Sequence, residues 1–161
     1  MTKRSVTHSS FTLERVYDAA PARVFRAFAE QDQKRRWFAE SDQMETLEYS
    51  LDFRVGGTEH WRGKGGPTGD WVFTNDTVFH DIVQNERIII SYRMTANGAP
   101  ISVSTTTFEL HPDGVKTRLV LTEQDAFLEG GDGPEIRQEG WRGLLANLGK
   151  ALQSEPSRAA R

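Results

Sequence analysis

The sequence predicts an α+β domain in which a strongly bent antiparallel β-sheet surrounds one long C-terminal helix. Six strand-like segments follow one another between residues 46 and 125, and turn-like separators such as TANGAP and HPDG favour antiparallel neighbours over βαβ units. After residue 134, a tryptophan and several leucines recur at helical spacing. The 161 residues are enough for one domain with a hydrophobic core.

The N-terminal elements follow from local patterns. Residues 1–10 are polar, lack the apolar segment of a signal peptide, and are predicted to form a flexible leader. Residues 11–17 alternate apolar and polar side chains, as a strand does. Pro21 suits the first turn of the helix that follows. A second short helix is expected to begin with Asp32 as its N-cap and to run through QKRRWFA.

The remaining elements complete one domain over residues 11–153, followed by a polar tail at 154–161. The predicted strands cover residues 46–53, 58–63, 70–83, 87–94, 101–110 and 115–125. The last helix is expected to begin near Pro134 and to direct one face at the sheet, formed by Trp141, Leu144, Leu145, Leu148 and Leu152.

Composition limits the classes of function. The formal net charge is −3 and no basic stripe carries interleaved aromatic residues, so nucleic-acid binding is not expected. No apolar run approaches the roughly 20 residues of a membrane span, so membrane insertion is not expected. The absence of cysteine excludes disulfides, thiolate metal sites and cysteine nucleophiles, and is consistent with a cytoplasmic protein.

The glycine-rich stretch RVGGTEHWRGKGGPTGDW, residues 54–71, raises the question of a phosphate-binding loop. A P-loop requires Ser or Thr after Gly-Lys and a helix as the next element. Here Gly65 follows Gly63-Lys64, and a strand is predicted next. We therefore interpret the glycines as structural, allowing a bend and a hairpin turn or flap. The histidines lack metal-ligand spacing and no catalytic serine motif occurs, so no metal or cofactor is expected and no catalytic residue is identified.

Several segments occur in the order typical of one superfamily. These are ERVYDAAPARVFRAFAE, the Trp37-Phe38 pair, FRVGG, DIVQNERIIISYRM, GVKTRLVLTEQDAFLEGG and GWRGLLANLGKAL. Over roughly residues 11–152 the chain resembles the Aha1-like branch (activator of Hsp90 ATPase homologue) of the START/Bet v 1 superfamily, and within it the small bacterial single-domain proteins.

The resemblance implies the helix-grip fold, with a cavity between the sheet and the C-terminal helix. Superfamily members typically hold lipids, sterols, polyketides or other hydrophobic molecules there, and some are enzymes such as cyclases. The branch takes its name from an Hsp90 co-chaperone in which a separate N-terminal domain contributes strongly to activation. ATPase activation is therefore not expected from a helix-grip domain alone.

Strand parity selects the residues expected to line the cavity, because alternate side chains of a strand share one face. Aliphatic residues on that face are expected to fill the core, whereas aromatic ones suit a core and a pocket wall equally. The predicted ligand-binding residues are Trp37, Phe38, Glu59, Trp61, Trp71, Phe73, Tyr92, Met94, Phe108, Glu123, Arg137, Trp141 and Leu145.

Two acidic residues, Glu59 and Glu123, have inward parity. A buried carboxylate requires a partner or a raised pKa. Arg137 lies four residues before Trp141 and hence on the same face of the helix. We expect Arg137 to reach both glutamates, leaving one ionised and the other pushed toward protonation. The alternative is a bulge that turns Glu59 outward and leaves Arg137 in solvent.

These observations predict a binding protein whose partner is a hydrophobic or aromatic small molecule. One alternative is a cyclase- or hydrolase-type enzyme acting on such a ligand. Another is a chaperone-related module that binds a protein partner such as Hsp90, with a role in stress response. A homodimer is compatible with all three.

Overall fold

The computed structural model describes residues 5–129, 131 and 133–154. Its helices are α1 (Pro21–Ala29), α2 (Gln31–Lys34) and α3 (Pro134–Gln153), and a π-helical turn covers Arg35–Ala39. Its strands are β1 (Val6–Tyr17), β2 (Glu45–Leu51), β3 (Thr58–Gly65), β4 (Trp71–Val83), β5 (Arg87–Ala96), β6 (Ala99–Asp113) and β7 (Lys116–Leu128). One antiparallel sheet contains all seven strands, in the order β1-β7-β6-β5-β4-β3-β2.

The core lies between the concave face of this sheet and the helices. Burial alternates along β7, where Leu119 and Leu121 point inward. On α3 the inward residues recur every three or four positions, and among them Trp141, Leu145 and Leu148 are buried. These two periodicities predict the elements correctly, and the α+β helix-grip fold is confirmed.

The first strand begins earlier than the sequence indicates. Residues 6–10, predicted to belong to a flexible leader, pair with β7 from Val6 opposite Leu128 to Ser10 opposite Gln124. Most of these residues are exposed on both faces of the strand, so their polar sequence shows no alternation that would indicate a strand. Of the predicted tail, Ser154 forms a turn, and residues 155–161 lie outside the described residues.

The second helix also differs from its prediction. It begins at Gln31, its N-cap is Glu30, and Asp32 lies inside the helix. The π-helical turn follows directly, and the N–H of Glu40 donates to the carbonyl of Arg35. This wider turn accompanies the burial of Trp37, whose Nε1 donates to the Ala27 carbonyl at 2.9 Å.

The glycines of β3 make room for neighbouring side chains. A Cβ atom on Gly63 would overlap the indole ring of Trp61, and one on Gly65 would overlap the Sδ atom of Met44. The element after this stretch is β4, a strand. No helix N-terminus is therefore available to bind a phosphate, and the structural interpretation of these glycines is confirmed.

Candidate functional site

A row of polar side chains crosses five strands on the concave face of the sheet. Cross-strand pairing joins Glu59 of β3 to Thr77 of β4, and Thr77 to Tyr92 of β5. The row continues through Ser104 of β6 to Asp125 of β7. All five residues are buried, and buried polar groups require hydrogen-bond partners. We call these five residues the polar row.

Glu123, which also points inward from β7, is the centre of a hydrogen-bonded cluster at one end of the row. Its side chain is fully buried. Its Oε1 accepts hydrogen bonds from Thr106 Oγ1 at 2.7 Å and from Trp141 Nε1 at 2.8 Å. The Tyr92 hydroxyl lies 2.8 and 2.9 Å from its two oxygens. Sheet and helix α3 therefore meet at this carboxyl group.

Arg137 closes the cluster from the first turn of α3. Its Nη1 donates to the Tyr92 hydroxyl at 2.9 Å and to Ser104 Oγ at 3.1 Å, and its Nη2 donates to Ser102 Oγ at 2.7 Å. The same Nη1 lies 3.7 Å from Glu123 Oε2 and 3.5 Å from Asp125 Oδ1. One guanidinium therefore faces two buried carboxyl groups.

The two carboxyl groups require a proton between them. Burial raises the pKa of Glu123 to about 8, and the Asp125 carboxyl beside it acts in the same direction. Asp125 Oδ1 accepts from Ser104 at 2.6 Å, whereas its buried Oδ2 has no hydrogen-bond partner among the described residues. The raised pKa of Glu123 favours its protonated form, which can donate to Asp125, and Arg137 Nη1 lies 3.5 Å from Asp125 Oδ1.

A second charged cluster lies at the other end of the polar row. Lys34 Nζ is 3.0 Å from Glu59 Oε1, and the Tyr49 hydroxyl donates to Glu59 Oε2 at 2.6 Å. The ammonium group lies 4.6 Å from the ring centroid of Phe38 and 5.4 Å from that of Trp37. Lys34 thus neutralises Glu59 and joins α2 to β3 through a buried contact.

The prediction that Arg137 reaches both glutamates is wrong. Glu59 pairs with Lys34, and the second acid beside Arg137 is Asp125. The alternative, with Glu59 turned outward and Arg137 in solvent, is also wrong because both side chains are buried. Asp125 shares the parity of Glu123 and could have been found from the sequence. Strand parity could not predict the contact between Lys34 and Glu59, because Lys34 lies on a helix.

The next cross-strand row is half buried on β3, β4 and β5, whereas its continuation through Ser102 of β6 to Phe127 of β7 is buried. It runs from Trp61 of β3 through Asn75 of β4 to Met94 of β5, and we call these three residues the rim row. Phe73 is also half-buried, and it stacks on Trp71, which is 39 % exposed. Four of the predicted ligand-binding residues therefore lie together on accessible surface: Trp61, Trp71, Phe73 and Met94.

Other predicted ligand-binding residues lie in the packed interior. Phe108 is buried, with its ring centroid 5.6 Å from that of Trp141, and Leu145 is fully buried. Trp37 is buried as well, while Phe38 remains half-buried beside Lys34. The structure thus divides the predicted set into core residues, polar-cluster residues and residues near the rim row.

The match to a family model establishes the family to which the chain belongs. The model described as Activator of Hsp90 ATPase homolog 1-like protein matches residues 18–153. The chain belongs to this family. The Aha1-like resemblance of the sequence is thereby confirmed, over a span that reaches from the end of β1 to the end of α3.

Solved structures of bacterial proteins share the fold of this family member. The crystal structure of the Mll3558 protein from Rhizobium loti is 47% identical, with a TM-score of 0.84 over 92% of this chain and 99% of that chain. An uncharacterized protein from Rhizobium leguminosarum is 39% identical, with a TM-score of 0.88 over 96% and 100%. Protein CV1439 from Chromobacterium violaceum is 25% identical, with a TM-score of 0.72 over 89% and 96%. None of the curated proteins compared with the chain matches it.

Two surface clefts of this Aha1-like domain lie away from the rim row. One, of about 550 Å³, is lined by residues of the β4–β5 turn and the end of β6, with Pro21. The other, of about 320 Å³, lies between β1 and α3 and includes Leu145. Within the described ranges, no three histidine, aspartate or glutamate side chains form a metal site, and no helix is long and apolar enough to cross a membrane.

Proposed function

We propose that this Aha1-like domain binds a hydrophobic or aromatic small molecule on the concave face of its sheet, at the rim row. The supporting observation is the half-burial of Trp61 and Met94 on the same face of the sheet whose other side chains contribute to the core. An amphipathic ring and a flexible thioether are well suited to a small-molecule site. The resemblance to ligand-holding START/Bet v 1 domains supports the same function.

The indole of Trp61 is fixed in a position suited to this role. Its Nε1 donates to Thr46 Oγ1 at 3.1 Å, and its ring lies over Gly63, where only a glycine leaves room. The ring is therefore oriented before a ligand arrives, which reduces the entropy lost on binding. The polar row behind it is hydrogen-bonded from both sheet and helix, so it supports a preformed surface.

Glu123 supports binding more than catalysis. A general acid must come within hydrogen-bond reach of its substrate. The Glu123 side chain is fully buried, and its oxygens already accept from Thr106, Tyr92 and Trp141. Its raised pKa therefore fits a role in joining α3 to the sheet. A chaperone partner, a homodimer and a cytoplasmic location remain predictions from the sequence.

A titration with the uncharged fluorescent probe N-phenyl-1-naphthylamine tests the proposal. We expect saturable binding at one site per chain, accompanied by quenching of tryptophan fluorescence. Trp61→Ala and Met94→Ala should each weaken binding by about tenfold, which corresponds to about 1.4 kcal/mol.

Val103→Ala is the matched control, because Val103 is 48% exposed and has the parity of the opposite face of β6. It should leave the affinity unchanged. Absence of saturable binding, or equal affinity in the two rim-row variants and the wild type, would contradict the proposal. If the probe binds as expected, mass spectrometry of small molecules released from natively purified protein would identify the natural ligand.

A further inference from the structure

The rim row contains one polar residue, Asn75. It lies directly opposite Trp61 on one side and Met94 on the other, and it is half-buried. The buried Thr77 hydroxyl donates to its Oδ1 at 3.1 Å, which orients the amide group. Its Nδ2 has no hydrogen-bond partner in the part of the chain that the structure describes. An oriented N–H donor therefore stands between two apolar side chains.

The charges behind the rim row determine what this donor can recognise. Glu59 is neutralised by Lys34, and Asp125 by Arg137. Glu123 is the remaining acid of the cluster, and it is uncharged when protonated. A ligand with a net charge of either sign would find no unpaired opposite charge among these groups, and it would lose hydration on entering an apolar surface. The surroundings therefore favour an uncharged ligand.

We propose that Asn75 determines the specificity of the rim row by donating an Nδ2 hydrogen bond to a carbonyl or ether oxygen of an uncharged aromatic molecule. The aromatic part of that molecule lies across Trp61 and Met94. This inference rests on the proposed function and deepens it, because it names the chemical class of the ligand. It also separates this class from fatty-acid anions and organic cations.

Three probes of similar size test the inference by calorimetry. These are 2-acetylnaphthalene, which carries an uncharged acceptor, 2-ethylnaphthalene, which carries none, and the anion 2-naphthoate. Wild-type protein should bind the ketone about tenfold more tightly than the hydrocarbon, the value of one good hydrogen bond. It should bind 2-naphthoate more weakly than the ketone.

Two substitutions remove the donor in different ways. Asn75→Asp keeps the size of the side chain and an oxygen that accepts from the Thr77 hydroxyl. Asn75→Leu keeps the approximate size of the side chain but removes both the donor and the acceptor. Both should abolish the preference of the protein for the ketone over 2-ethylnaphthalene. Asn85→Asp introduces the same charge at the β4–β5 turn and should retain the full preference.

The wild-type comparison needs no variant, so it remains decisive if a substitution prevents folding. If 2-ethylnaphthalene binds to wild type as tightly as the ketone, the role of Asn75 is overturned and the proposed function stands. Retention of the preference in both donor-free variants overturns it as well. If none of the three probes binds, the proposed function itself fails.

Discussion

Glu123 and Asp125, two residues apart on β7, share a single guanidinium, with Arg137 Nη1 3.7 Å from one carboxyl group and 3.5 Å from the other. Both carboxyl groups lie in the packed interior. The stability of the domain is therefore coupled to the protonation of this pair, and the free energies of unfolding of substituted variants can measure this coupling.

The first prediction concerns the pH dependence of unfolding. The pKa of Glu123 rises from 4.5 to about 8 on folding. Between these values the folded protein holds a proton that the unfolded chain has released. The contribution of Glu123 to the free energy of unfolding should therefore be greatest below about pH 4.5. It should fall by on the order of a few kcal/mol as the pH rises toward 8. Urea denaturation at several pH values measures the slope.

Glu123→Gln tests the assignment of that slope. A glutamine amide can accept from Thr106 and Trp141 and still donate to Asp125, so stability near pH 6 should stay within about 1 kcal/mol of wild type. The fall in stability toward pH 8 should become markedly shallower. The exposed Glu45→Gln is the control and should keep the wild-type slope. An unchanged slope in Glu123→Gln would show that another group carries the proton.

The second prediction concerns Arg137. Arg137→Ala should reduce the free energy of unfolding by about 3–5 kcal/mol, because it leaves Asp125 as an uncompensated buried charge. Adding Asp125→Asn should recover a substantial part of this loss, since the stranded charge is then gone. Chemical denaturation of the two single variants and the double variant measures the coupling.

Arg142 on the same helix provides the comparison. It forms an exposed ion pair with Glu139, so Arg142→Ala should cost less than about 1 kcal/mol. If Arg137→Ala costs no more than Arg142→Ala, the guanidinium is not buried as the structure describes.

The third prediction concerns the other end of the polar row. Lys34→Met should destabilise the domain by about 3–5 kcal/mol, because Glu59 loses its buried counter-charge. The double variant with Glu59→Gln should recover much of the loss, since methionine packs well among the surrounding rings. Thermal and urea unfolding measure both effects.

The exposed Lys150→Met controls for the loss of a positive charge as such, and it should change stability by less than about 0.5 kcal/mol. A double variant that is no more stable than Lys34→Met would contradict the assignment of Glu59 as the partner.

Most of the fold could be predicted because buried apolar residues recur at every second position in strands and every three or four positions in helices. Burial alternates along β7, and α3 repeats Trp141, Leu145 and Leu148. The edge strand β1 shows no such alternation over residues 6–10, because its side chains there are mostly exposed. A polar strand at an edge and a polar leader look alike in sequence.

The site could be predicted only in part, because strand parity fixes the face of a side chain and not its depth. Phe108 and Met94 share inward parity with their neighbours, yet one is buried and the other borders the surface. Asn75 has the same parity as Trp71 and Phe73, so its position on the concave face could have been predicted from the sequence. Lys34 meets Glu59 across 25 positions and two different elements, which no local pattern encodes.

Strands β1 and β2 have no other strand between them in the sequence, yet they form the two opposite edges of the sheet. Residues 18–44 therefore extend from one edge to the other, and they carry α1, α2 and the π-helical turn. Flattening or tightening the sheet changes the distance between its edges, and this connection must absorb the change. Its buried contacts, Trp37 to Ala27 and Lys34 to Glu59, resist such a change. The width of the concave face is thus held by a segment outside the sheet, which is linked to Trp61 of the rim row through Thr46.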